Sequence, residues 1–253
     1  MQEIYHRLMT ESRRIASRYK VPEFYARFRP TRAISRRTFF QHPILKHCRE
    51  LVRPFLLDNF GHGLQHATKV SLDAGTILLL EGEKYFTVQQ ELERALVLVQ
   101  LAGLLHDIRR GQESHAEAGA QAARDLLRDF PLKPSEVNCV AEAIINHEAF
   151  ADRQVCESLA GQLLGDALYD ADKFRWGPDN FTHTVWYMAD YRDIEVVDLV
   201  EKFPWGVSGI LRIRDSFRTN IGRQYGPEII DLGVRIGREI YQYLQKYVEE
   251  LKD

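Results

Sequence analysis

The chain has 253 residues, 45% of them hydrophobic, enough to bury a full core, so one large domain is expected rather than a disordered or disulfide-stapled chain. Its net charge of −2 hides an asymmetry: residues 1–60 carry 13 Lys/Arg against 5 Asp/Glu, the rest 21 against 31. Cys48, Cys139 and Cys156 are odd in number and lack paired spacing, and no apolar run is long enough for a signal or membrane span. A soluble cytoplasmic protein without a thiolate zinc site is therefore expected.

Apolar residues recur at helical spacing almost throughout, strand-type alternation is scarce, and Pro and Gly fall mainly between the periodic segments. The pattern predicts an all-α fold. Helices are expected near 3–19, 43–58 and 62–82. Between the first two lies a basic arm, "RFRPTRAISRR" (27–37), without a nucleic-acid recognition motif, so self-docking or plain solvation accounts for it better than nucleic acid. Thr87 before "VQQ", Ser114 before "HAE" and Ser135 before "EVNCVAEAIINH" read as N-caps, starting helices near 88, 115 and 136. Further helices follow near 156–173, 180–191, 194–203, 206–220 and 227–251. The expected division is a basic N-terminal helical segment (1–60), a core (61–180) and C-terminal helices (181–253) that complete the same globule.

Four helices each carry a potential metal ligand on an apolar stripe. Leu92, Leu96, Val99, Gly103 and His106 step by four, three, four and three. Val137, Val140, Ile144 and His147 form a second stripe, and His66, Val70, Ala74 and Ile77 a third. Leu164, Leu168 and Asp172 form the last. A lone inward histidine is an ordinary core residue, but several buried imidazoles and carboxylates would each cost about 1–3 kcal/mol unless something satisfies them together. A divalent cation does so. The doublet His106-Asp107 suits two ions, because successive helical side chains diverge by about 100°.

With these residues in place, the sequence resembles the HD-domain superfamily of metal-dependent phosphohydrolases, whose pattern is His, then His-Asp, then one or two further His, then Asp. His66 in "HATKV", His106-Asp107 in "LLHDI" and Asp172 in "DADKF" match it. His115 in "HAEAGAQAA" and His147 in "AIINHEAF" match the histidines of members that hold two metals or place a phosphate. The resemblance covers about residues 61–175. It implies an HD-domain-like helical bundle with additional N- and C-terminal helices, and metal ligands His66, His106, Asp107, His115, His147 and Asp172. Catalytic roles then fall to His106, Asp107 and His115. Asp172 is favoured over Asp170 by the stripe and by "ADK". His62, one turn before His66, stays outside the ligand set, and His6, His42, His47 and His183 are read as structural.

Imidazole and carboxylate donors suit one or two divalent transition-metal ions, whether Fe, Mn, Zn, Co or Ni. The resemblance implies attack of a metal-activated water on a nucleotide or other small phosphate ester, with nucleic acid and membrane not expected as partners. Lys69, Arg109 and Arg110 are the candidates to hold phosphate oxygens. Lys173 beside Asp172 is expected to orient the metal site. The arginines of "ILRIRDSFRTNIGRQYG" have no assigned contact. Two alternatives stay open: an HD-fold di-iron oxygenase with the same ligands, and a nonenzymatic metal-binding signalling module.

Overall fold

A computed structural model describes residues 1–56 and 61–250. The predicted ends of the 43–58 and 227–251 helices reach beyond the described residues. In chain order the helices are α1 (Glu3–Ala16), α2 (Glu23–Arg27), α3 (Arg29–Gln41), α4 (Pro43–Val52), α5 (Leu64–Gly82) and α6 (Gln89–Leu105). They continue with α7 (His115–Leu127), α8 (Pro134–Ile145), α9 (Leu159–Lys173), α10 (Val185–Tyr191), α11 (Val196–Ile213) and α12 (Asn220–Glu250). Short 3₁₀ and π turns, Phe174–Trp176 and Asn180–Thr184, link α9 to α10. No strand occurs among the described residues, so the all-α expectation holds.

The centre is built from α5, α6, α8 and α9: α5 packs on α6 and α9, and α8 on both α6 and α9. One close approach sets this geometry. A Cβ on Gly103 of α6 would lie 2.7 Å from the Ser71 Cα of α5. Ser71 Oγ in turn donates within bonding distance of Ala67 O (2.8 Å) and Gln100 O (3.1 Å). Only a residue without a side chain lets the two backbones meet there, and the contact brings the end of α6 beside the start of α5.

The basic arm, over which the sequence pattern predicts no helix, is helical and docked. It runs from the last residue of α2 through most of α3, and α3 packs on α5. Arg32 Nε donates to Asp73 Oδ1 at 3.2 Å, and Tyr25 donates its hydroxyl to Asp73 Oδ2 at 2.8 Å. Arg175 Nη2 reaches both Tyr25 Oη and Asp73 Oδ2, the latter at 2.5 Å. Arg175 also bonds Asp179 through Nη1, and Lys69 Nζ donates to Asp179 Oδ1 at 2.8 Å. Buried charge is thus paired around one node that joins α2, α3, α5 and the turn after α9.

Several predicted boundaries need correction. The N-cap of α6 is Val88 rather than Thr87, and that of α8 is Lys133 rather than Ser135. Pro134 takes the first helical position, where its missing N–H costs nothing, and Glu136 accepts from Lys133 N at 2.7 Å. Ser114 does precede α7, but in the left-handed region (φ 53°) and with no side-chain cap bond. The separate helices near 194–203 and 206–220 are one helix, α11, running through Pro204. Its buried Val196, Leu199, Phe203, Ile210 and Ile213 keep a single stripe against α12, and this packing outweighs the lost backbone bond. Pro227 likewise lies inside α12 instead of opening it.

Candidate metal centre

The candidate ligands come from the ends of the central helices. His66 sits in the first turn of α5, and His106 caps the C-terminus of α6 with Asp107 just beyond. His147 lies two residues past α8, and Asp172 is the penultimate residue of α9. His115 opens α7. Helix ends leave backbone groups unpaired, and the two histidines at the C-terminal ends of α6 and α8 use that. His106 Nδ1 lies 2.8 Å from Gly103 O and His147 Nδ1 lies 2.5 Å from Ile144 O. A carbonyl only accepts, so Nδ1 carries the proton in both rings, and a neutral ring presents its lone pair at Nε2. The same local device, used twice, aims two Nε2 atoms at Asp107.

Asp107 has two differently furnished oxygens. Around Oδ2 stand His62 Nδ1 at 2.8 Å, His106 Nε2 at 3.3 Å and His66 Nε2 at 3.7 Å. Asp172 Oδ1 completes this pole, 3.3 Å from His66 Nε2 and 3.7 Å from His106 Nε2, and the two imidazoles are 3.2 Å apart at Nε2. Donors held at about 2.1 Å by one first-row ion stand about 3.0–3.4 Å apart at octahedral or tetrahedral angles. The spacing fits one divalent cation among His66, His106, Asp107 and Asp172.

The Oδ1 pole is looser. His147 Nε2 lies 3.7 Å away, His115 Nε2 3.9 Å and Arg110 Nη1 3.7 Å. Asp107 Oδ1 is buried and has no hydrogen-bond partner among the described residues. A buried carboxylate oxygen left so is costly, and a cation is what satisfies it. Three overlapping triads could hold metal: His62-His66-Asp107, His66-His106-Asp172 and His106-Asp107-His147.

The electrostatics single out His106 among the histidines. Burial opposes charging His106, but Asp107 and then Asp172 outweigh it and push its pKa up to about 10. His66, which burial dominates, falls to about 4. His115 also falls to about 4, through burial and then the Arg110 charge. Burial would raise both carboxyls, yet His106 holds Asp107, and Lys173 with His106 and His66 hold Asp172, well below the usual carboxylate range. The centre is built for concentrated positive charge between two anions.

The supporting contacts are specific. Lys173 Nζ donates to Asp172 Oδ2 at 2.6 Å and to His147 O at 2.9 Å, tying α9 to the turn that carries His147. Arg218 Nη1 donates to Asn146 O at 2.7 Å, with its guanidinium 3.5 Å over the Tyr169 ring. Asp170 turns away from the centre and accepts from Arg218 N, Thr219 N and Thr219 Oγ1, anchoring the start of α12. Of the residues expected to meet phosphate, Arg109 is exposed, Arg110 reaches the Oδ1 pole, and Lys69 is engaged by Asp179. His62, kept outside the ligand set by sequence, makes the shortest contact to Asp107. Its spacing of four from His66 was the available signal.

Among known families, the model of the HD domain matches residues 63–177. No curated protein and no solved structure gives a significant match. The matched span begins one residue before α5 and ends just past the 3₁₀ turn, so it encloses five helices, α5 to α9, and all six of the predicted ligands. Fold, motif and family match agree on this segment: residues 63–177 match the HD domain, as the resemblance of the sequence implied.

Proposed function

We propose that the protein is a metal-dependent phosphohydrolase acting on a nucleotide or other small phosphate ester. The observation that carries this reading is the Oδ2 pole, where each of two buried imidazoles stands 3.2–3.7 Å from the other and from a carboxylate oxygen of both Asp107 and Asp172. His66, His106, Asp107 and Asp172 would hold the cation, and His115 and His147 face the second oxygen of Asp107. A bound divalent cation acidifies water toward neutral pH and withdraws charge from phosphoryl oxygens. The chain's own residues supply the rest. His106 and His147 are fixed by their carbonyl bonds, Lys173 neutralises the outer oxygen of Asp172, and exposed Arg109 and Arg110 provide positive charge for a phosphate at the rim. This reading treats residues 1–60, 61–180 and 181–253 as one folded unit around the centre.

Elemental analysis coupled to a panel of phosphomonoesters and phosphodiesters tests it. Wild type should carry transition metal and release phosphate or cleave diesters. Asp107→Ala should lose both the metal and the activity. Full metal retention in Asp107→Ala contradicts the ligand assignment, and oxygen consumption by the iron-loaded protein without phosphate release assigns it to the oxygenase class instead.

A further inference from the structure

The two poles of Asp107 differ in what already occupies them. At Oδ1 the nearest cation belongs to the chain: Arg110 Nη1 is 3.7 Å from that oxygen and 2.8 Å from His115 Nε2. A guanidinium has donors only, so His115 Nε2 must accept, and its lone pair is spent on Arg110 rather than offered to a metal. By spacing alone, His147 belongs to one of the three donor triads and His115 to none. Arg110 is three residues past Asp107, with its backbone N donating to Asp107 O at 3.0 Å, so the turn itself places the side chain over this pole. The Arg110 side chain is 39% exposed, leaving it a path outward to solvent.

We propose that Arg110 is a displaceable internal cation that competes with a second metal ion at the Oδ1 pole and so sets the metal stoichiometry of the centre. The inference rests on the metal-binding reading above and adds to it an order of filling. The first ion enters at Oδ2 without disturbing Arg110. The second requires Arg110 to leave His115 Nε2 and turn outward, which restores the His115 lone pair beside His147 and Asp107 Oδ1. Displacement also frees a guanidinium at the rim of the site, so second-ion binding and exposure of an anion-binding group become one event.

Titration of Mn(II) into metal-free wild type, Arg110→Ala, Arg110→Gln and Arg110→Lys, followed by calorimetry and by electron paramagnetic resonance for spin-coupled ion pairs, tests the competition. First-ion affinity should change far less than second-ion affinity across the four proteins. Second-ion affinity should rise about tenfold or more in Arg110→Ala and Arg110→Gln, the scale expected from removing a unit charge about 4 Å from the site, and stay near wild type in Arg110→Lys. The gain should vanish when His115→Ala is added to Arg110→Ala. Unchanged or weaker second-ion binding in Arg110→Ala, or a gain that survives loss of His115, overturns this inference while leaving the first metal site standing. Failure of wild type and every variant to bind any Mn(II) overturns it together with the metal-binding reading.

Discussion

Lys173 shows how much one residue does at this centre. Its ammonium is buried, bonds Asp172 Oδ2 at 2.6 Å and His147 O at 2.9 Å, and also lies 4.9 Å from the centroid of the Tyr169 ring. Removing one member of a buried ion pair leaves the other uncompensated, at a cost of about 3–5 kcal/mol. Lys173→Met should therefore destabilise the metal-free protein by about that amount in urea denaturation. A cation between Asp172 and Asp107 replaces part of the lost charge, so the penalty should shrink when saturating metal is present. An equal penalty with and without metal would mean that Lys173 acts only through packing. Asp170, three residues before Lys173, has its carboxylate engaged by Arg218 and Thr219. Two carboxylates two residues apart on α9 thus face different ways, one a candidate ligand and the other an anchor.

At the scale of elements, the centre depends on where helices stop. Its six predicted ligands lie at or near the ends of α5, α6, α7, α8 and α9, and their alignment follows from how closely α5 and α6 approach. Gly103→Ala would place a methyl group 2.7 Å from the Ser71 backbone. Overpacking of that kind costs about 1–3 kcal/mol, because neither backbone can yield cheaply. The variant should melt at lower temperature. Because His106 bonds Gly103 O and follows it by one turn, metal affinity should fall as well. Unchanged affinity in a destabilised variant would separate the helix contact from the centre. Left-handed Ser114 (φ 53°) and Phe150 (φ 65°) each lie within three residues of a candidate ligand, so the backbone departs from its preferred regions where it turns back toward Asp107.

Across the whole molecule, the node of buried Asp73 and Arg175 with partly buried Tyr25, Asp179 and Lys69 joins the N-terminal helices to the HD domain. Asp179 is the member whose titration reports on it. Burial would raise its pKa, but Arg175 and then Lys69 bring it down to about 2. A carboxyl whose folded value lies below its unfolded value contributes stability above the unfolded value of about 3.9, and that contribution is lost as pH falls toward 2. Asp179→Asn should cost on the order of 2 kcal/mol at pH 7, and the gap to wild type should close between about pH 4 and pH 2, where protonated Asp179 comes to resemble Asn. A gap independent of pH would show that Asp179 contributes by shape rather than charge.

Read alone, the sequence determined the helical class and pointed to the HD segment, because 3.6-residue periodicity and motif spacing are local properties of the chain; the same stripes and the family resemblance nominated His66, His106, Asp107, His115, His147 and Asp172 as candidate ligands. The tertiary structure decided what locality cannot encode. His62 joins Asp107 and Lys69 turns to Asp179 only because separate helices meet. Pro204 and Pro227 are carried inside helices because buried stripes on both sides outweigh one missing bond each. The two unlike poles of Asp107, one lined by His66 and Asp172 and the other held by Arg110, follow from long-range packing, which fixes distances that spacing along a chain leaves free.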